Sequence, residues 1–282
     1  MSSPGVPRYA GYIFDLDGTL SREGRPLPGA ADVLARLRSE GRPFVVMSNN
    51  PLVPAETHAA RLAASGLDVG PGDVVTSVTA LIDYLRTHPP QGALFVIGES
   101  PLLERLEAEG FPLSTDPAEV ACVVAAFDRT FDYRKWTTAF HAVRAGATMI
   151  ATNADATYPT ADGEIPDCAG IIAALEASTG REVEVILGKP SAAFLAAALR
   201  HLGLREHEVL IVGDRLATDI AMGADHGVDT ALVLSGVTHP ADLDTHPVRP
   251  TYVVPGVHAL VDAPDAAAAT AHPSEERDGT AS

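Results

Sequence analysis

A chain of 282 residues, 46% of them hydrophobic, holds enough apolar material for one large or two modest buried cores. Its 20 basic residues against 37 acidic ones leave a net charge of −17, which opposes binding to nucleic acid or to an anionic membrane surface. Two cysteines, Cys122 and Cys168, are too few for a disulfide framework or a metal-ligand cluster, and the longest apolar runs are strand-sized. The first of these runs comes too late, and too close to two carboxylates, to serve as a secretory signal. The expected setting is the cytoplasm, with neither nucleic acid nor membrane as partner.

Strand and helix signals alternate along the chain, which points to an α/β fold. After a flexible start, Met1–Pro7, the apolar run Tyr9–Phe14 fits a strand covered on both faces in a parallel sheet. It stops at Asp15-Leu16-Asp17-Gly18-Thr19, where two carboxylates leave on alternate residues and Gly18 allows a sharp turn. The C-terminal end of such a strand is where ligands bind. A capped Asp-Gly turn is the competing reading of this run taken alone. Pro28 then opens a helix with Ala31, Leu34, Ala35 and Leu37 on one face and Gly41 at its end. The strand Phe44–Met47 follows and delivers Ser48, Asn49 and Asn50 to the same sheet edge. A helix from Pro54, with Ala59, Leu62 and Ala63 inward, and a short strand at Val74-Val75 close the first half of a core.

From Val78 to Glu182 the strand-like runs Ala93–Ile97, Val120–Ala126 and Thr148–Ala151 alternate with helices, and none ends in a carboxylate pair. This stretch reads as a smaller α/β domain, 78–182, inserted into a core formed by 8–77 and 183–262. The core resumes with the strand Val183–Leu187, which runs into Gly188-Lys189-Pro190 and a helix Ser191–Leu202. Lys189 is one of only two lysines, and a strand end beside a helix N-terminus is a position that attracts phosphate. A solvated surface lysine is the bland alternative. The strand Val209–Val212 stops at Gly213-Asp214, with Asp219 five residues on, and a helix-capping role for Asp219 competes with a functional one. Strands Thr230–Leu234 and Tyr252–Val254 close the core, and residues 263–282 read as a disordered tail.

Together Asp15, Asp17, Asp214 and Asp219 with Ser48, Asn49 and Lys189 form one chemical kit. Four acids and one base suit a hard cation, and Mg²⁺ takes oxygen ligands while keeping several waters. With Mg²⁺ and Lys189 neutralising phosphoryl oxygens, an aspartate can attack phosphorus and form an aspartyl-phosphate that water later hydrolyses.

At these residues the sequence resembles the haloacid dehalogenase superfamily, whose phosphatases carry Asp-x-Asp-Gly-Thr, a Ser/Thr strand end, a Lys, and a Gly-Asp with a further Asp. From Tyr9 to Leu260 it is further similar to the subgroup of p-nitrophenyl, phosphoglycolate, pyridoxal and sugar-phosphate phosphatases with a large α/β cap, most specifically at 151–159 and Gly188-Lys189-Pro190. The resemblance implies a Rossmann-like parallel-sheet core with an inserted cap. It also implies Asp15 as nucleophile, Asp17 as general acid/base and backbone-carbonyl metal ligand, and Asp214 as a direct ligand. Ser48, Asn49 and Lys189 would hold the phosphoryl group, and Asp219 would orient metal-bound water. The substrate is expected to be a small phosphorylated metabolite, with glycerol phosphate, phosphoglycolate, a sugar phosphate and a nucleotide all open. A homodimer through the cap is implied as well. Asn153, Asp155 and Tyr158, on the cap loop that the resemblance sets over the site, are the candidate specificity residues. An ordinary stabilised loop is their alternative. One departure is Pro51-Leu52-Val53, where the subgroup has small hydroxyl residues near the entrance. A phosphomutase and a non-catalytic binder of a phosphometabolite are the other readings of the same residues.

Overall fold

A computed structural model describes residues 6–160 and 163–260, so the tail read as disordered and the first five residues lie outside the described part. The run ending in the paired carboxylates forms β1 (Gly11–Asp15), followed by a small antiparallel hairpin of β2 (Ser21–Arg22) and β3 (Arg25–Pro26). Next come α1 (Ala30–Ser39), β4 (Phe44–Ser48), α2 (Ala55–Ala64), β5 (Val74–Thr76) and α3 (Ser77–Thr87). A second series runs β6 (Ala93–Ile97), α4 (Ser100–Ala108), β7 (Val120–Ala125), α5 (Tyr133–Arg144), β8 (Thr148–Ala151), an antiparallel hairpin of β9 (Thr157–Thr160) and β10 (Gly163–Pro166), α6 (Cys168–Thr179) and β11 (Val185–Ile186). The last is α7 (Ala192–Leu202), β12 (Val209–Gly213), α8 (Ala221–His226), β13 (Asp229–Val233), α9 (Asp242–Thr245) and β14 (Tyr252–Val254).

One sheet has six parallel strands in the order β14-β13-β12-β1-β4-β5, and the chain leaves it after β5 and returns at β12. The strand order reverses at β1, which places a ligand crevice beside its C-terminal end. Between leaving and returning, the chain builds a four-stranded parallel sheet, β11-β8-β7-β6. The fold is therefore a Rossmann-like core with an inserted α/β cap. Strands buried on both faces read as unbroken apolar runs, and their residues part by alternation. Tyr12 and Phe14 enter the cluster with α1, whereas Ile13 enters the cluster with α3 and α7. In β6, Leu94 and Val96 join that second cluster and Phe95 and Ile97 face α5 and α6.

Two expectations change. The run Val183–Leu187, read as the first strand of the returning core, supplies β11, which pairs with β8 at the edge of the second sheet through Val185↔Ile150 and Ile186↔Ala151. An apolar run carries no label for its partner sheet, and tertiary packing made the choice. The buried helix faces also differ. In α1 they are Ala30, Val33, Leu34 and Leu37, with Ala31 and Ala35 outward, and in α2 His58 is buried where Ala63 was expected. Alanine's small surface fixes a helix face weakly.

Candidate active site

Four chain segments meet at the C-terminal edge of the six-stranded sheet. At the end of β1, Gly18 adopts φ +94°, and its N–H donates to the Ser21 carbonyl at 2.7 Å. A Cβ there would run into the Asp214 carboxylate, so the turn requires glycine twice over. Asp15 is nearly enclosed, and Asp17 is exposed to the cavity described below. From the end of β4, Asn49 accepts the Lys189 backbone N–H on Oδ1 at 2.8 Å and donates from Nδ2 to Asp155 Oδ2 at 3.0 Å. One side chain thus ties the first sheet to the lysine loop and to the loop after β8. Ser48 Oγ accepts the Asn50 N–H at 3.3 Å, which leaves its own O–H available.

Lys189, 7% exposed, follows β11 and donates from Nζ to Asp15 Oδ1 and, at 2.7 Å, to Asp219 Oδ1. Burial alone would drive its ammonium pKa down; the carboxylates of Asp15 and Asp219 reverse this and hold it above the ordinary value. Asp219 sits in a π-helical turn, Leu216–Ile220, and its Oδ2 accepts the Arg215 N–H at 3.1 Å, so both its oxygens are engaged. Asp214, at the end of β12, accepts the Val237 N–H on Oδ2 at 2.6 Å. Gly236 lies so close to this carboxylate that a Cβ would overlap it.

The carboxylates of Asp15, Asp214 and Asp219 each bring an oxygen to within 4.8 Å of the others. Burial pushes the Asp15 carboxyl up to about 7 against the pull of Lys189, and burial with the Asp219 charge raises that of Asp214. Asp214 Oδ1 is buried with no hydrogen-bond partner among the described residues. A buried, orphaned carboxylate oxygen in an all-oxygen acidic cluster fits a hard divalent cation, and Asp15 and Asp214 have the oxygens for it.

Asp15 and Lys189 lie on one side of a cavity of about 150 Å³, with Asp214 and Asp219 buried and off its lining. Its core side holds Asp15, Asp17, Ser48, Asn49 and Lys189, and its cap side Asp155, Thr157, Tyr158 and Asp167, with Arg215 and Thr218 also on the lining. Of the three candidate specificity residues, Asp155 and Tyr158 face the cavity, and Tyr158 Oη accepts from Asn50 Nδ2 at 3.2 Å. Asn153 does not line it: it is 1% exposed and donates to Asp155 Oδ2 at 2.9 Å and Asp167 Oδ1 at 3.3 Å, so it positions the wall from behind. Asp167 and Thr157 were missed by the sequence reading. The sequence signal at Asp167 is that of a helix cap, and it does cap α6. Pro51 and Val53, expected near the entrance, line a separate depression with Val78 and Arg105.

Residues 12–112 match the family described as haloacid dehalogenase-like hydrolase, and residues 186–260 match one described as HAD-hydrolase-like. The dihydroxyacetone phosphatase of Corynebacterium glutamicum is 35% identical over 251 residues, 89% of this chain and 90% of that protein. The solved structure of p-nitrophenyl phosphatase from Archaeoglobus fulgidus shares 32% identity at a TM-score of 0.84, covering 90% of this chain and 98% of the other. NagD from Escherichia coli, named a ribonucleotide monophosphatase, gives 34% and 0.80 over 89% of this chain and 97% of its own. Agreement of this degree along the chain, through core and cap alike, means that the protein belongs to the haloacid dehalogenase-like hydrolases and is a phosphatase, a phosphoric monoester hydrolase.

Proposed function

We propose that the protein is a Mg²⁺-dependent phosphatase that hydrolyses a small phosphomonoester through a phosphoryl group carried on Asp15. The observation that supports this most is the convergence of Asp15, Asp214, Asp219 and Lys189 at one sheet edge, with Asp15 and Lys189 on the lining of a cavity whose other wall is the cap. Asp15 and Asp214, with the Asp17 backbone carbonyl, would hold Mg²⁺, which when bound supplies positive charge against the phosphoryl oxygens. Lys189, Ser48 and Asn49 hold the phosphoryl group, while Asp219 fixes the Lys189 ammonium and orients water on the metal side.

Attack of an Asp15 oxygen on phosphorus breaks the ester P–O bond, and Asp17, exposed to the cavity, gives its proton to the departing oxygen. The alcohol leaves. Asp17 then takes a proton from water as that water attacks phosphorus, the Asp15–phosphorus bond breaks, and inorganic phosphate and a protonated Asp17 result. Asp155 and Tyr158 contact the organic part, with Asn153 bracing them.

Phosphate release from a panel of small phosphomonoesters, with and without Mg²⁺, tests the reading together with Asp15→Asn. Release should require the metal and fall by at least about 10³-fold in the variant. Near-normal release by Asp15→Asn would overturn the mechanism, and return of phosphate to the substrate in place of its release to water would make the protein a mutase.

A further inference from the structure

The cavity has two walls of unlike charge. Both of its lining cations, Lys189 and Arg215, belong to the core side, where Lys189 is held by Asp15 and Asp219. The cap side presents Asp155, Thr157, Tyr158 and Asp167. Its lack of a cation is a property of the chain: residues 145–180, from before β8 to just past α6, contain no Lys, Arg or His. Arg129, over the Phe127 ring that packs on Tyr158, is already committed, donating from Nε and Nη2 to the two oxygens of Glu99 at 2.7 Å each. The positive end of α6 is occupied too, because its first N–H, that of Cys168, donates to Asp167 Oδ1 at 2.5 Å.

The hydrogen bonds inside this wall leave acceptors unused. Asp155 takes Asn49 and Asn153 on Oδ2, and Asp167 takes Cys168 and Asn153 on Oδ1. The other oxygen of each carboxylate has no protein partner among the described residues. A substrate hydroxyl can donate to such an oxygen in a charge-assisted bond. A second anionic group on the substrate would instead lose its hydration opposite two carboxylates, with no cation on that wall to pair it.

On the phosphatase reading above, we propose that the enzyme selects a phosphomonoester whose organic part is uncharged and hydroxyl-bearing, and rejects one whose organic part carries a second negative charge such as a carboxylate. Asp155 and Asp167 are the residues that enforce the choice.

Glycerol 3-phosphate and 3-phosphoglycerate test this closely, since they differ at one terminal carbon, CH₂OH against COO⁻. Each is assayed with Mg²⁺ for phosphate release and as a competitor of p-nitrophenyl phosphate, whose organic part is uncharged. In the wild type kcat/KM should favour glycerol 3-phosphate by at least about tenfold. In Asp167→Asn and Asp155→Asn, which keep the shape and the helix cap, the ratio should fall severalfold. Circular dichroism checks each fold, and if one variant is misfolded the other carries the test. Equal use of both esters while p-nitrophenyl phosphate is hydrolysed would overturn the selectivity and leave the phosphatase reading standing. Failure to hydrolyse any of the three would overturn both, and a wild-type ratio unchanged in both folded variants would overturn the assignment to Asp155 and Asp167.

Discussion

Asp15 and Asp17 are two carboxylates on alternate positions of one turn, and their surroundings separate their roles. Asp15 is drawn to Lys189 and the acidic cluster, whereas Asp17 is exposed to the cavity and stands outside that cluster. Asp17→Asn should therefore lose roughly 10²–10⁴-fold in turnover with an unchanged circular dichroism spectrum. Wild-type turnover in that variant would make Asp17 a turn residue. A second single-residue effect is at His58, buried in α2 and not on the cavity lining. Its Nε2 is buried without a partner among the described residues, and burial, reinforced by Arg61, holds the imidazole pKa down at about 4. The unfolded chain takes up a proton near pH 6.5 that the folded chain refuses until about pH 4. This group's contribution to stability is thus complete above about pH 6.5 and declines as the pH falls toward 4. At about 1.4 kcal/mol per pH unit, it costs on the order of 2 kcal/mol between pH 6.5 and 5. Urea unfolding of His58→Leu at pH 7 and pH 5 should show a smaller loss than wild type by about that amount, and equal losses would assign the pH dependence elsewhere.

Strands carry the site, and the loops behind them hold it in place. Asp214 comes from β12, but Gly236, in the loop after β13, sets how close that loop lies to its carboxylate. Gly236→Ala should push Asp214 aside and raise the Mg²⁺ concentration for half-maximal activity by roughly 10- to 100-fold, read from a metal titration. An unchanged midpoint would show that Asp214 is not a ligand. Asn49 joins β4 to both the Lys189 loop and Asp155, so the core side of the cavity and the cap wall share one hydrogen-bonded residue.

Across the whole molecule, one buried cluster contains Ile13, Val45 and Ile211 of the large sheet together with Leu94, Val124 and Ile150 of the small one. Leu81 of α3 and Phe194 of α7, both fully buried, belong to it, and these helices pack on each other. Because the two sheets share an apolar core, they should unfold in a single calorimetric transition. Leu81→Ala should lower that transition by the equivalent of about 2–5 kcal/mol without splitting it. Two resolved transitions would mean that core and cap are held together weakly.

The sequence by itself determined the local chemistry. An unbroken apolar run must be a covered strand, and the polar residues that end such runs in parallel strands collect at one edge, so Asp15, Ser48 and Asp214 were legible as partners before any coordinates. Lys189 was legible by its scarcity and its place before a proline. Only the tertiary structure decided which sheet β11 joins, since Val185 and Ile186 would suit either, and that Asn153 lies behind the wall while Asp167 faces the cavity. These are choices among long-range contacts of similar local character, and they are settled by packing and by the pairing of buried polar groups, which adjacent residues along the chain do not encode.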